Sequence, residues 1–218
     1  MPEGPSAAEP RHAGHDRWLS ILEAVLLSVV ALLAAYSGYA AAKWGTESSV
    51  TLATASAERA KANRADTEAI VTRTLDSASF NAWFTAFTAG NAKAVRLAER
   101  RMRPGYRPAF TAWLATDPEN DPSAPPGPAY MPQYVIPQEA VAKTHDARAA
   151  AAFLSGAKAG ATADKYIRAT VFLATVLFLV GISGHFRIRQ ARMGLIGAGG
   201  LLLAFAVIQL LDLPGPPS

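Results

Sequence analysis

Apolar residues fall in three blocks along the chain, and the polar residues between the first and second blocks form one long insert. The first block, LSILEAVLLSVVALLAAYSGYAAAKWG at residues 19–45, is bracketed by Trp18 and Trp44. On a helix these two indoles stand roughly 39 Å apart. That spacing suits a hydrocarbon core of about 30 Å with an aromatic anchor at each interface. The pattern predicts membrane helices over 17–45, 164–184 and 193–213, each long enough to span. The first is too long for a cleaved signal peptide, and it carries an acid, Glu23, where the h-region of one should be most apolar.

The insert, residues 46–163, reads as helical. From Glu47 to Ala89 there is neither Pro nor Gly, and Ala is abundant, which predicts one long helix with Gly45 as its bend from the membrane. Phe80, Trp83, Phe84 and Phe87 lie at i, i+3, i+4 and i+7, one aromatic face. Packing onto neighbouring helices is the plainer use of such a face, and a stacking platform for a ligand is the sharper one. After Gly90-Asn91 come short helices over 92–102 and 108–116, then a Pro-rich excursion over 117–137 with seven prolines. A helix over 138–163 returns to the membrane, with Val141, Ala149, Ala152 and Phe153 placed to pack on the outgoing one. The expected fold is all-α: three transmembrane helices with a helical extramembrane stalk and cap.

Composition changes this picture little. The formal net charge of +4 is too small to indicate a nucleic-acid partner, and the absence of cysteine removes thiolate chemistry. Residues 1–16 are rich in Pro, Gly, Ala and charge and read as a disordered tail, and residues 214–218 as a short one. The loop HFRIRQAR, residues 185–192, has three arginines and no acid, which assigns it to the cytoplasm. The N-terminus then lies inside and residues 46–163 outside, in a bacterial inner (cytoplasmic) membrane.

Candidate chemistry centres on Glu23. A charge in a membrane segment costs up to about 3 kcal/mol on insertion scales, and its available partners are Arg187, Arg189 and Arg192. An intramembrane ion pair is one reading of it, and an acid in a proton or cation path is the other. Ala24, Ser28, Ala31, Ala35, Gly38 and Ala42 form a stripe of small residues that favours close helix approach, within the chain or between copies. Gly194, Gly197, Gly200 and Ala204 give the third helix a similar face. Residues 93–107 hold six basic residues against Glu99 alone. They read as a solvated face balanced by Asp117, Glu119, Asp121 and Glu139, or as a contact for an anionic polymer or partner protein. No catalytic motif, metal spacing or cofactor fingerprint is present in the sequence, so no cofactor is expected. The expected partners are the lipid bilayer, a second copy, or an envelope protein.

WLSILEAVLLSVVALLAAYSGYAAAKWGTESS, FNAWFTAF, RPGYRPAFTAWLATDP and the Pro-rich MPQY together resemble a family of uncharacterised bacterial membrane proteins with three membrane helices and a helical insert. The resemblance runs over residues 18–212. It implies a layout, with Glu23, Tyr36, Tyr39 and Trp44 inside a shared pattern, and no activity. The expected function is that of a non-enzymatic structural or accessory subunit of an envelope complex. An ion-conducting assembly built on Glu23 is the alternative.

Overall fold

The computed structural model describes residues 11–186 and 188–217, with side chains from Trp18 onward except those of Leu19 and Arg189. The chain is all-α. Its helices are α1 (Arg11–Thr88), α2 (Ala92–Arg101), α3 (Arg107–Leu114), α4 (Pro137–Ser183) and α5 (Arg189–Leu211), with one 3-10 turn at Pro128–Tyr130 and no strand among the described residues. α1, α4 and α5 each contain a stretch long and apolar enough to cross a membrane.

Helix α1 passes through Gly45 without a break. The bend expected there is absent: a helical glycine costs only about 1 kcal/mol, and the Ala40-Ala41-Ala42-Lys43 run before this one favours helix. The helix also begins at Arg11, so positions 11–16 of the expected tail are helical, while residues 1–10 lie outside the described residues. α1 ends where Gly90 takes φ +68. The Asn91 N–H then reaches Ala86 O at 3.0 Å, and the Gly90 N–H reaches Phe87 O at 2.9 Å. This left-handed exit satisfies the last carbonyls of the helix. Asn91 serves the next helix too, its Oδ1 accepting the Ala94 N–H at 3.0 Å. α4 runs unbroken from the insert into the second apolar block. α5 starts at Arg189, so the basic loop is shorter than the expected 185–192.

The chain divides into two units, residues 1–52 with 153–218, and residues 53–152. In the first, the membrane unit, Val30, Leu173, Val176, Val180 and Ala206 form a fully buried core, with Leu26, Leu27, Leu202 and Leu203 packed around it. α1 and α4 are joined antiparallel by hydroxyls: Ser37 Oγ donates to Tyr166 O at 2.9 Å, and Ser48 Oγ to Gly156 O at 2.8 Å. A Cβ on Gly156 would stand 3.2 Å from the Leu52 backbone nitrogen, so glycine there sets the helix separation.

The small-residue stripes face otherwise than packing within one chain requires. Ala24, Ser28, Ala31, Ala35, Gly38 and Ala42 are all exposed, while the buried line of α1 runs through Val30, Ser37, Ala40 and Ala41. The stripe lies about 100° round the helix from much of that line. On α5 a Cβ added at Gly194, Gly197 or Gly200 would meet nothing within 4 Å. The close approach is at Gly199, where a Cβ would come within 2.8 Å of Val180 Cγ2. The glycine that packs on α5 is therefore not one of the expected face.

In the second, extramembrane unit, Ala55, Ala62, Ala65 and Ala69 of α1 and Ala149 of α4 are buried, whereas Val141 is exposed. Outside this unit, the expected packing residue Phe153 is exposed as well. Small buried residues let two backbones come close, and ion pairs Arg59–Asp146 and Arg73–Glu139 line the edges. The core gathers Trp83, Met102, Tyr106, Phe110 and Trp113. The Pro-rich excursion belongs to this core: Gly127, Pro128 and Ile136 are buried, and Trp113 Nε1 donates to Pro125 O at 2.7 Å.

Candidate functional site

Among the described residues, the membrane unit brings three helices to one carboxylate. Glu23 lies on α1, Ser183 ends α4, and Arg192 sits on the first turn of α5. Arg192 Nη2 is 2.7 Å from Glu23 Oε2, and Ser183 Oγ donates to Glu23 Oε1 at 2.9 Å. The two charged side chains are 18% and 12% exposed, Arg192 and Glu23 in turn, so the pair is mostly withdrawn from solvent. Arg192 Nη2 also stands 3.5 Å from Ser20 Oγ. A Cβ on Gly184 would be 3.3 Å from Glu23 Oε1, so a larger residue would crowd the acid. One carboxylate oxygen is thus held by a cation, and the other faces the Ser183 hydroxyl, whose single proton is shared between Glu23 Oε1 and Val180 O at 2.6 Å. Arg187 and the side chain of Arg189 lie outside the described residues.

Chemically this is a cross-helix clamp. A charge-assisted bond in a low-dielectric setting is strong, and it offsets the cost of keeping an acid out of water. Sequence reasoning missed Ser20, Ser183 and Gly184. Ser183 carried a signal, as a polar residue at the end of the second apolar block on the same side as Glu23.

The extramembrane unit has a second buried acid, Asp76, which the sequence did not single out. Arg103 holds it with two bonds, Nε to Oδ1 at 3.2 Å and Nη2 to Oδ2 at 2.7 Å, and Tyr134 OH donates to Oδ2 at 3.2 Å. Asp76 is 2% exposed. Burial, with Asp76 nearby, pushes the Tyr134 phenol up to about 12. Tyr134 therefore acts here as a neutral donor.

Glu58 lies between Lys61 Nζ at 2.6 Å and His145 Nδ1 at 2.7 Å. Lys61 first, then His145, holds its carboxyl at about 2 against an ordinary 4.5. A folded value below the unfolded one gives stability that is complete above about pH 4.5 and lost as pH falls through about 2. Acid unfolding followed by tryptophan fluorescence should therefore begin earlier in the parent than its remaining carboxylates alone dictate. Glu58→Gln should lose less stability than the parent between pH 4.5 and 2. Equal losses in the two proteins would contradict the pairing.

The basic residues of 93–107 are divided between the core and the surface. Arg103 turns inward to Asp76, while Lys93, Arg96, Arg100 and Arg101 are exposed. The acids expected to balance them are engaged elsewhere or locally: Glu139 with Arg73, Asp121 with Ser123, and Asp117 with Asn120. The aromatic face is split. Trp83 is buried and Phe80 half-buried, whereas Phe84 and Phe87 are exposed. Among the described residues, no group of three His, Asp or Glu side chains is placed to hold a metal ion.

No protein-family model matches the chain, and neither a curated protein nor a solved structure matches it.

Proposed function

We propose that the chain is a non-enzymatic subunit of a bacterial inner-membrane assembly, a three-helix anchor for a helical unit that recruits or scaffolds partners outside the cytoplasm. The observation that carries this reading is the double engagement of Glu23 by Arg192 and Ser183. An acid held by a cation, with a hydroxyl beside its other oxygen, serves as a lock, and a proton or ion path needs a group free to exchange its partner. The outward stripe of Ala24, Ser28, Ala31, Ala35, Gly38 and Ala42 supports contact with a second copy, since a small-residue face allows close approach in lipid. The exposed cations Lys93, Arg96, Arg100 and Arg101, which join no ion pair among the described residues, support an acidic partner surface. The arginines of 187–192 support an N-terminus in the cytoplasm and residues 46–163 outside.

The chain contains no cysteine, so single cysteines report cleanly. Ser123→Cys and Gln190→Cys variants should be treated in spheroplasts with a membrane-impermeant maleimide that carries a photo-cross-linker. Position 123 should react and 190 should not, and illumination should capture one discrete species, a second copy or an envelope protein. Reaction at 190 alone would invert the orientation. Efficient reaction at 123 with no captured species, together with a monomer mass in mild detergent, would remove the scaffolding role.

A further inference from the structure

In the extramembrane unit the aromatic face of α1 and the loop after α3 enclose a cavity of about 240 Å³. Phe84, Phe87, Trp83 and Trp113 line it together with Asp117 and Glu119. Trp83 is a supporting wall: its ring stacks on Phe87 at 4.9 Å and on Phe80 at 6.0 Å between centroids. The open rings are Phe84 and Phe87, which are 48% and 37% exposed while the neighbouring Trp113 and Phe110 are each 5% exposed.

Three observations select a ligand class. First, the charge at the mouth has one sign. Asp117 and Glu119 line the cavity, no Lys or Arg occurs in residues 117–137, and neither acid has an ion-pair partner among the described residues. Among the described residues, Asp117 accepts side-chain bonds from the neutral Asn120 amide, at 3.0 and 3.1 Å. Second, the indole donors point to other work: Trp83 Nε1 to Glu99 at 3.1 Å and Trp113 Nε1 to Pro125 O at 2.7 Å. With both indole N–H groups engaged, the walls offer aromatic rings and carboxylates and no indole donor, which suits a cation. Third, the acid is fixed in place. Asp117 adopts φ 52, rare for a residue with a side chain. Its N–H bonds Leu114 O at 3.2 Å, and its carbonyl accepts the N–H groups of Asn120 and Asp121 at 3.1 and 2.9 Å.

We infer that this cavity is a binding site for a small quaternary ammonium cation, held by the rings of Phe84 and Phe87 with Asp117 and Glu119 as counter-charges. A quaternary ammonium makes no hydrogen bonds and loses none among aromatic walls. The volume is below the roughly 300–1,000 Å³ of pockets for drug-sized ligands, which suits a compact cation.

The test is calorimetric titration of the full-length protein in alkyl-maltoside micelles with choline, its neutral isostere 3,3-dimethylbutan-1-ol, and phosphocholine. Choline should bind saturably, the neutral alcohol at least roughly ten-fold more weakly, and phosphocholine more weakly than choline because its phosphate faces two carboxylates. Glu119→Gln, on an exposed position, should weaken choline roughly five-fold with the near-ultraviolet dichroism unchanged, and Phe87→Leu should abolish saturation. Equal binding of choline and the alcohol would overturn the proposal in favour of a plain apolar cavity. Tighter phosphocholine, an unaffected Glu119→Gln variant, or no saturable heat with choline would overturn it outright.

Discussion

Trp113→Ala should destabilise the extramembrane unit by about 3–5 kcal/mol, the usual cost of deleting a buried Trp. The ring is 5% exposed and meets Phe80 and Trp83 edge-on at 5.1 and 5.9 Å. It also fastens the Pro-rich excursion through the bond from Nε1 to Pro125 O. The substitution thus opens a cavity and releases the one indole bond to a segment that has no regular ladder of its own. Phe84→Ala, on an exposed ring of the same aromatic face, should cost no more than about 1 kcal/mol. Thermal melting of the full-length protein in detergent, read by near-ultraviolet dichroism, checks both. Equal shifts for the two variants would show that Trp113 is not the keystone of this core.

The second large effect is expected at Asp76. Asp76→Ala removes the acceptor of two Arg103 bonds and one Tyr134 bond, and it leaves a guanidinium in a pocket shaped for an ion pair. Breaking a buried pair costs about 3–5 kcal/mol. Arg103 keeps 35% of its side chain exposed, so water recovers part of that, and a loss of about 2–3 kcal/mol is expected. Asp76→Leu combined with Arg103→Met should lose less than Asp76→Ala alone, because no charge is then stranded. If the double variant were the less stable, the pair would be a net source of stability rather than a matched cost, and this reading of Asp76 would fail.

The contrast between what could and could not be read from the chain has physical causes. The three spans and the long helix were legible because a 30 Å apolar solvent demands long uninterrupted apolar runs, and because Pro is absent from α1. The facing of the small-residue stripes was not legible. In lipid every side of a helix is apolar, so no polar face marks which way it turns, and Gly199 rather than Gly197 proves to be the tight contact. Glu23 stood out as a lone acid in an apolar run, yet three arginines were equal candidates until the start of α5 placed Arg192 within 2.7 Å. Asp76 carried no signal, being one of many acids on a polar helix whose partner lies 27 residues away. The bond from Trp113 to Pro125 O was hidden in a segment whose prolines exclude regular structure without saying where the chain goes.

Glu23 carries the central claim, that the membrane unit is a locked anchor. Glu23→Gln keeps the shape and the acceptor for Ser183 but removes the charge that faces Arg192, and it should cost about 1–3 kcal/mol of stability. Proton and cation flux in vesicles reconstituted with parent and variant, measured beside their melting temperatures, tests the claim most directly. The account predicts background flux from both proteins and a lower melting temperature for the variant. Flux in the parent that Glu23→Gln abolishes, with melting unchanged, would contradict it and establish Glu23 as part of an ion path.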